Sequence, residues 1–143
     1  MKTKKENGLA GIDMVIAIIA IMIFSTLIIS MIHNNTIENV KLKKETLAMI
    51  YITEIFENIG IQSYDNLPIG TYSDIGANEY DEKIESLIPD NAISNYKIDM
   101  KIEENLDGLV KNENILKKIE LTLTYKVVNK SYTCYMERMK IKE

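Results

Sequence analysis

The sequence predicts an α+β fold: a long N-terminal α-helix whose first half is transmembrane and whose second half packs on a three- or four-stranded antiparallel β-meander. Three observations predict it. An uncharged apolar run extends over residues 14–32, an apolar stripe with helical spacing follows within residues 40–59, and apolar and polar residues alternate in runs within residues 96–141. Helical spacing indicates a helix with one buried side, and strict alternation indicates a strand with one buried face.

The apolar run is long enough to cross a membrane. Its nineteen residues, Met14–Ile32, carry no charge, and only Ser25, Thr26 and Ser30 are polar. A transmembrane helix needs about 20 apolar residues, whereas a helix on the surface of a soluble domain shows a polar side. We therefore expect this run to span the cell membrane once.

The residues around the run predict its orientation. Lysines at positions 2, 4 and 5 precede it, and the next cation is Lys41. Because lysines favour the cytoplasmic side, the N-terminus is expected in the cytoplasm. A secretory signal would be cut after the run at small residues, and residues 30–33 (Ser-Met-Ile-His) fit poorly. The candidate cut lies before the run, after Gly8.

At these residues the chain resembles the type IV pilin and pseudopilin family, in particular its minor pilin-like members. Such subunits carry a short basic leader ending in Gly, an apolar residue, an acidic residue five positions after the cut and a long apolar helix. These features map onto Lys2–Asn7, Gly8, Leu9, Asp13 and Met14–Ile32. An Asp stands where the family almost always has Glu, and the resemblance covers closely only the leader and the apolar run.

The resemblance implies a structural subunit and not an enzyme. A prepilin peptidase would cut after Gly8 on the cytoplasmic side, usually with N-methylation of Leu9. The subunit would then pass from the membrane into an extracellular surface filament of a pilus, a type II secretion system or a competence system. The implied partners are other pilin subunits, the prepilin peptidase, the membrane assembly platform and, before assembly, membrane lipid. No cofactor is implied.

Asp13 has a physical role in this scheme. Cleavage would leave a positive amine on Leu9, four residues earlier and on the same side of a helix. In apolar surroundings an opposite charge within about 4 Å stabilises such an amine far more than in water. We expect Asp13 to neutralise this amine in its own subunit or in a neighbour, the second option setting the axial register of the filament. The alternative is that the Asp13 carboxylate has no partner in the filament and simply lies at the level of the lipid headgroups.

The resulting division has four parts: a cytoplasmic leader (1–8), a transmembrane and filament-assembly helix (9–32), its amphipathic continuation (33–60) and an extracytoplasmic head (61–143). No Gly or Pro lies between Gly11 and Gly60, so nothing forces a break, and Gly60 is expected to end the helix. Residues 33–45 are predicted to be a solvated spacer. The stripe that should cover the sheet comprises Val40, Leu47, Tyr51, Ile52, Ile55, Phe56 and Ile59.

The head is predicted to hold turns at residues 65–70 and 76–78, a short helix over residues 79–88 that Pro89 stops, and then the strands. A two-residue turn at Asn129-Lys130 would join the last two strands. That register would place Arg138 on the apolar face, so we expect a β-bulge near residues 137–138. The predicted inward residues are Tyr96, Ile98, Met100, Ile102, Ile119, Leu121, Leu123, Tyr125, Val127, Tyr132, Cys134 and Met136.

Few residues suggest catalytic or metal chemistry. His33 is the only histidine, and Cys134 is the only cysteine, which excludes an internal disulfide. Residues 103–108 carry oxygen side chains as at the start of a calcium loop, but the twelfth position is Asn114 where a bidentate Glu is needed, so a solvated hairpin loop is preferred. The net charge of −4 provides no electrostatic footprint for nucleic acid. The alternative function is a single-pass, membrane-anchored binding or sensor domain that never polymerises.

Overall fold

The structure is a computed structural model that describes residues 3–104 and 116–142, with the backbone alone for residues 3–10. The chain divides into two compact units, Met1–Val40 and Lys41–Glu143. The helices are α1 (Thr3–Ile61), α2 (Glu82–Glu85) and α3 (Asp90–Ile93), with a 3-10 turn at Tyr64–Asn66. The strands are β1 (Gly70–Tyr72), β2 (Lys97–Glu104), β3 (Leu116–Val127) and β4 (Lys130–Ile141).

The strands form one antiparallel sheet in the order β1-β2-β3-β4, which is a meander. Residues of β2 and β3 alternate between a buried and a more exposed face, as the sequence pattern predicts. The buried face is apolar and is covered by the second half of α1. The predicted α+β architecture is therefore confirmed. The inward residues of β2 and β3 are Ile98, Met100, Ile102, Ile119, Leu121, Leu123, Tyr125 and Val127.

Side chains and backbone carbonyls join α1 to the sheet within the second unit. Tyr96 donates its hydroxyl to the carbonyl oxygen of Lys44 (2.8 Å), and Lys44 Nζ donates to that of Lys126 (2.8 Å). The rings of Tyr51 and Tyr96 meet edge to face with centroids 5.7 Å apart. These contacts fix the helix over the strands at the end of the sheet away from the last turn of α1.

The stripe of α1 that enters the core differs in part from the prediction. Ile52, Ile55, Phe56 and Ile59 are buried as expected, together with Ala48. Val40 and Leu47, which were predicted in the stripe, are 43% and 37% exposed. The prediction was wrong at these two positions because the buried side of α1 begins at Ala48 and continues through Ile52, Ile55 and Ile59. At 3.6 residues per turn, Val40 and Leu47 lie outside that side of the helix.

The β3–β4 hairpin corrects the predicted register. Val127 pairs with Lys130, so the turn is Val128-Asn129 and not Asn129-Lys130. Val128 takes a φ of 56°, a left-handed conformation that a two-residue hairpin turn of this kind requires. The pairs on the inner face are consequently Tyr125–Tyr132, Leu123–Cys134, Leu121–Met136 and Ile119–Arg138.

The predicted β-bulge near residues 137–138 is absent, since β4 pairs with β3 without interruption from Lys130 to Ile141. Arg138 and Lys140 therefore take inner-face positions near the end of α1. Arg138 Nη1 donates to the carbonyl oxygen of Phe56 at 3.4 Å. The last carbonyls of a helix lack intrahelical partners and carry partial negative charge, so cations are favoured there. The bulge was predicted on the assumption that only apolar residues could face this side.

The segment before β2 is more ordered than predicted. Asp81 caps α2 by accepting from the Lys83 N–H, but α2 has only four residues instead of the ten expected. Pro89 precedes α3, where its fixed φ suits a helix start. Strand β1 was not predicted, and it begins at Gly70, the last residue of the turn expected over residues 65–70. The turn at residues 76–77 is confirmed, with Gly76 at a φ of 97°. The candidate calcium loop lies largely outside the described residues.

Candidate functional site: the apolar surface of the N-terminal helix

The first unit presents an apolar surface on every side of α1. Every large apolar side chain from Ile12 to Ile32 is at least 47% exposed. Burying one such side chain is worth about 1.5–3 kcal/mol, so covering the whole surface stabilises the chain by tens of kcal/mol. By length and composition α1 can cross a membrane. Its most apolar stretch lies near the N-terminus, and no residue of that stretch is buried by the part of the chain that the structure describes.

The polar side chains of this stretch are compatible with apolar surroundings. Thr26 donates its hydroxyl to the carbonyl oxygens of Met22 (2.7 Å) and Ile23 (2.9 Å). Thr36 makes the same kind of bond to Ile32 at 2.9 Å. Because the hydroxyls bond to the helix itself, they need no partner from solvent.

The predicted processing and assembly residues lie in continuous helix. The backbone of α1 is helical from Thr3, so Gly8, Leu9 and Asp13 all belong to it. Leu9 and Asp13 are four residues apart, which places them one turn apart on the same side of the helix. Asp13 is exposed and immediately precedes the uncharged run. Helical backbone at both positions is compatible with the expected pairing of charges, which stays a prediction.

The other candidate residues lie apart from this surface. His33 is exposed on α1, and no group of three or more His, Cys, Asp or Glu that could hold a metal is found among residues 3–104 and 116–142. Cys134 is buried on β4, and burial, with a smaller contribution from Glu45, raises the pKa of its thiol. A protonated, buried thiol is a packing residue, in line with the inward position predicted from the strand pattern.

Sequence reasoning missed a buried cation. Lys117 is 4% exposed, and its Nζ donates to the carbonyl oxygens of Tyr64 (2.7 Å) and Leu67 (2.7 Å). It also lies 4.3 Å from the centre of the Tyr64 ring. The signal was present, since Lys117 continues the inward phase of β3 two residues before Ile119. This lysine attaches the segment that follows α1 to the sheet.

No protein-family model, no curated protein and no solved structure matches this chain.

Proposed function

We propose that this chain is a minor pilin or pseudopilin, a processed structural subunit of a type IV pilus-like filament. The observation that carries the proposal is the surface of α1 between Ile12 and Ile32, which is apolar on every side and which none of the described residues covers. Such a surface needs either lipid or other apolar helices around it. In a filament subunit, lipid covers this surface before assembly and the helices of other subunits cover it afterwards.

The leader and the acidic residue support the proposal. Lysines precede Gly8, and Asp13 stands one helical turn after Leu9, whose amine cleavage would expose. A carboxylate so placed neutralises that amine when both leave water. The α+β head, with the second half of α1 on a four-stranded antiparallel sheet, is compatible with a pilin-like subunit.

A second candidate is a membrane-anchored binding or sensor domain that keeps its leader. The same apolar surface favours it, because a single helix of this length also suffices as a permanent anchor. The two functions differ in the covalent state of the N-terminus. In the filament subunit the chain begins at Leu9, and in the anchored domain it begins at residue 1.

The test is the intact mass of the chain extracted from membranes of cells with and without a prepilin peptidase. We expect loss of residues 1–8 only when the peptidase is present. Gly8→Leu should leave the chain uncut, while Gly11→Leu serves as the matched control, because a side chain at Gly11 meets nothing within 4 Å. A full-length chain in both cells, or a full-length chain within isolated filaments, would overturn the proposal.

A further inference from the structure

A pocket of about 520 Å³ lies between the last turn of α1 and the end of β4. Five consecutive residues, Arg138–Lys142, line it. Consecutive strand residues point to opposite faces of a sheet. Arg138–Ile141 belong to β4 and Lys142 follows it, so a pocket that contacts all five reaches the edge of the strand at its C-terminal end.

This edge of β4 is free for pairing. β4 pairs with β3 along its whole length, and it is the last strand in the sheet order. Within residues 3–104 and 116–142, no strand pairs with its other edge. The N–H and C=O groups along such an edge are a template for a strand from another chain.

The pocket is basic in an otherwise acidic chain. Arg138, Lys140 and Lys142 line it, and the acid among the described lining residues is Asp65. Asp65 lies 3.4 Å from Lys142 Nζ, so one cation is partly balanced. The bond from Arg138 Nη1 to the carbonyl oxygen of Phe56 orients this cation without cancelling its formal charge. The net charge of the lining residues is thus positive, which favours an acidic ligand and disfavours a basic one.

The pocket also offers apolar contacts. Its floor includes the buried side chains of Phe56 and Ile59, and its rim includes Ile61 and Ile141, which are 83% and 61% exposed. A small anion would use the cations and leave this rim uncovered. An extended peptide would cover it, because alternate side chains of an added strand reach the two faces of the sheet edge.

We propose that the edge of β4 beside the end of α1 is a docking site for an extended acidic segment of a partner protein. The segment adds to the sheet as a further strand through backbone hydrogen bonds. Its carboxylates lie beside Arg138 and Lys142, and its apolar side chains, which reach the opposite face of the sheet, cover Ile141. The complementary charge selects the segment, and the strand edge supplies most of the binding contacts.

The test uses the full chain in micelles of a neutral detergent and an eight-residue peptide of alternating Glu and Val that carries a fluorophore on its N-terminus. Binding is measured by fluorescence anisotropy of the peptide, and the amide shifts of Arg138–Lys142 are followed by NMR. We expect saturable binding with shifts confined to the pocket. The matching Lys–Val peptide and free glutamate at equal carboxylate concentration should not bind.

Two variants distinguish the effect on peptide affinity of a charge at the pocket from the effect of a charge elsewhere on β4. Lys142→Glu should weaken binding about tenfold, as expected when an exposed attraction becomes a repulsion. Lys130→Glu makes the same charge change at the other end of β4 and should change affinity less than about twofold. Both side chains are exposed, so neither variant should alter the fold.

Backbone pairing has its own signature. One peptide is N-methylated at its odd-numbered residues and a second at its even-numbered residues. In an added strand only alternate N–H groups face β4, so only one of the two peptides has these groups blocked. One peptide should lose binding and the other should keep it. The proposal would be overturned if both methylated peptides lost binding equally or kept it equally. It would also be overturned if the unmodified peptide did not bind, if the basic peptide bound equally well, or if glutamate alone competed. Self-association of the chain through β4 in place of peptide binding would overturn it as well.

Discussion

Lys140 Nζ lies 2.8 Å from the carbonyl oxygen of Ile59 and also donates to the carbonyls of Gly60 (3.0 Å) and Gln62. α1 has no basic residue in its own last turn, so a strand 78–81 residues later in the sequence provides the cation for its C-terminus. The contact joins the end of the helix to the last strand of the sheet. It explains why β4 tolerates a lysine at an inward position.

Lys140→Met should lower the free energy of unfolding by about 1–3 kcal/mol, because the helix carbonyls lose a charged donor. Denaturation of the full chain in neutral detergent, followed by near-UV circular dichroism of the tyrosines, measures the change. Lys130→Met is the matched control on the same strand, and it should change stability by less than about 0.5 kcal/mol. Equal stability of the two variants would contradict the capping role.

Lys117→Met should destabilise the head by about 2–4 kcal/mol. The carbonyls of Tyr64 and Leu67 would lose their 2.7 Å bonds, and each unsatisfied buried group costs about 1–3 kcal/mol. The same denaturation experiment applies. Lys126→Met, on the same strand with an exposed side chain, should remain near wild type. A stable Lys117→Met variant would show that water can replace the ammonium group.

Alkaline pH should unfold the head in part through Tyr125. Burial, with smaller contributions from Cys134 and Glu45, raises the pKa of Tyr125 to about 12. The unfolded chain ionises near the ordinary pKa of about 10 and the folded chain only near 12. The unfolded state therefore binds fewer protons in this window, and the stability present below pH 10 is lost as pH rises towards 12.

Stability measured between pH 9 and pH 12 checks this expectation, with tyrosinate absorbance followed in parallel. Tyr125→Phe keeps the ring that stacks on Tyr132 at 5.7 Å but removes the ionisable hydroxyl. The variant should lose less stability across the window than the wild-type chain. The opposite order, or identical pH profiles, would show that Tyr125 does not contribute to alkaline unfolding.

Asp13→Ala should reduce incorporation into the proposed filament by more than about tenfold. The amine of Leu9 would then lack a counter-charge in an apolar helix bundle, where an unpaired charge costs roughly 2.5–3.5 kcal/mol. Asp13→Glu keeps the charge and should incorporate at least as well. The measurement is the ratio of chain in sheared filaments to chain in membranes. Equal incorporation of Asp13→Ala would remove the assembly role of this carboxylate.

Most of the head could be predicted because its strands alternate clearly. The inward residues of β2 and β3 follow from period-two alternation, and the register of β4 keeps the predicted inward phase through Met136. What could not be predicted was the turn. Val128 adopts a left-handed conformation that its β-branched side chain disfavours locally, so pairing over the full length of β3 and β4 outweighs turn propensity.

The candidate site on α1 is local in sequence and was accessible to sequence reasoning. Residues 14–32 need no tertiary information to be recognised as apolar on all sides, and the spacing of Leu9 and Asp13 follows from helix geometry alone. The cations at the end of α1 were inaccessible. Arg138 and Lys140 interrupt the apolar alternation of β4, and only the position of the helix carbonyls explains why they can face inwards.

Local patterns are enough to specify the apolar helix, the alternating strands and the acidic residue one turn after Leu9. Hydrophobic periodicity specifies the helix and the strands because the environment of each residue follows from the next few residues. Where charges can be buried depends instead on contacts between distant parts of the folded chain. Lys117 and Lys140 face inwards because carbonyl oxygens fifty or more residues distant in the sequence accept hydrogen bonds from them, and no local pattern records that proximity.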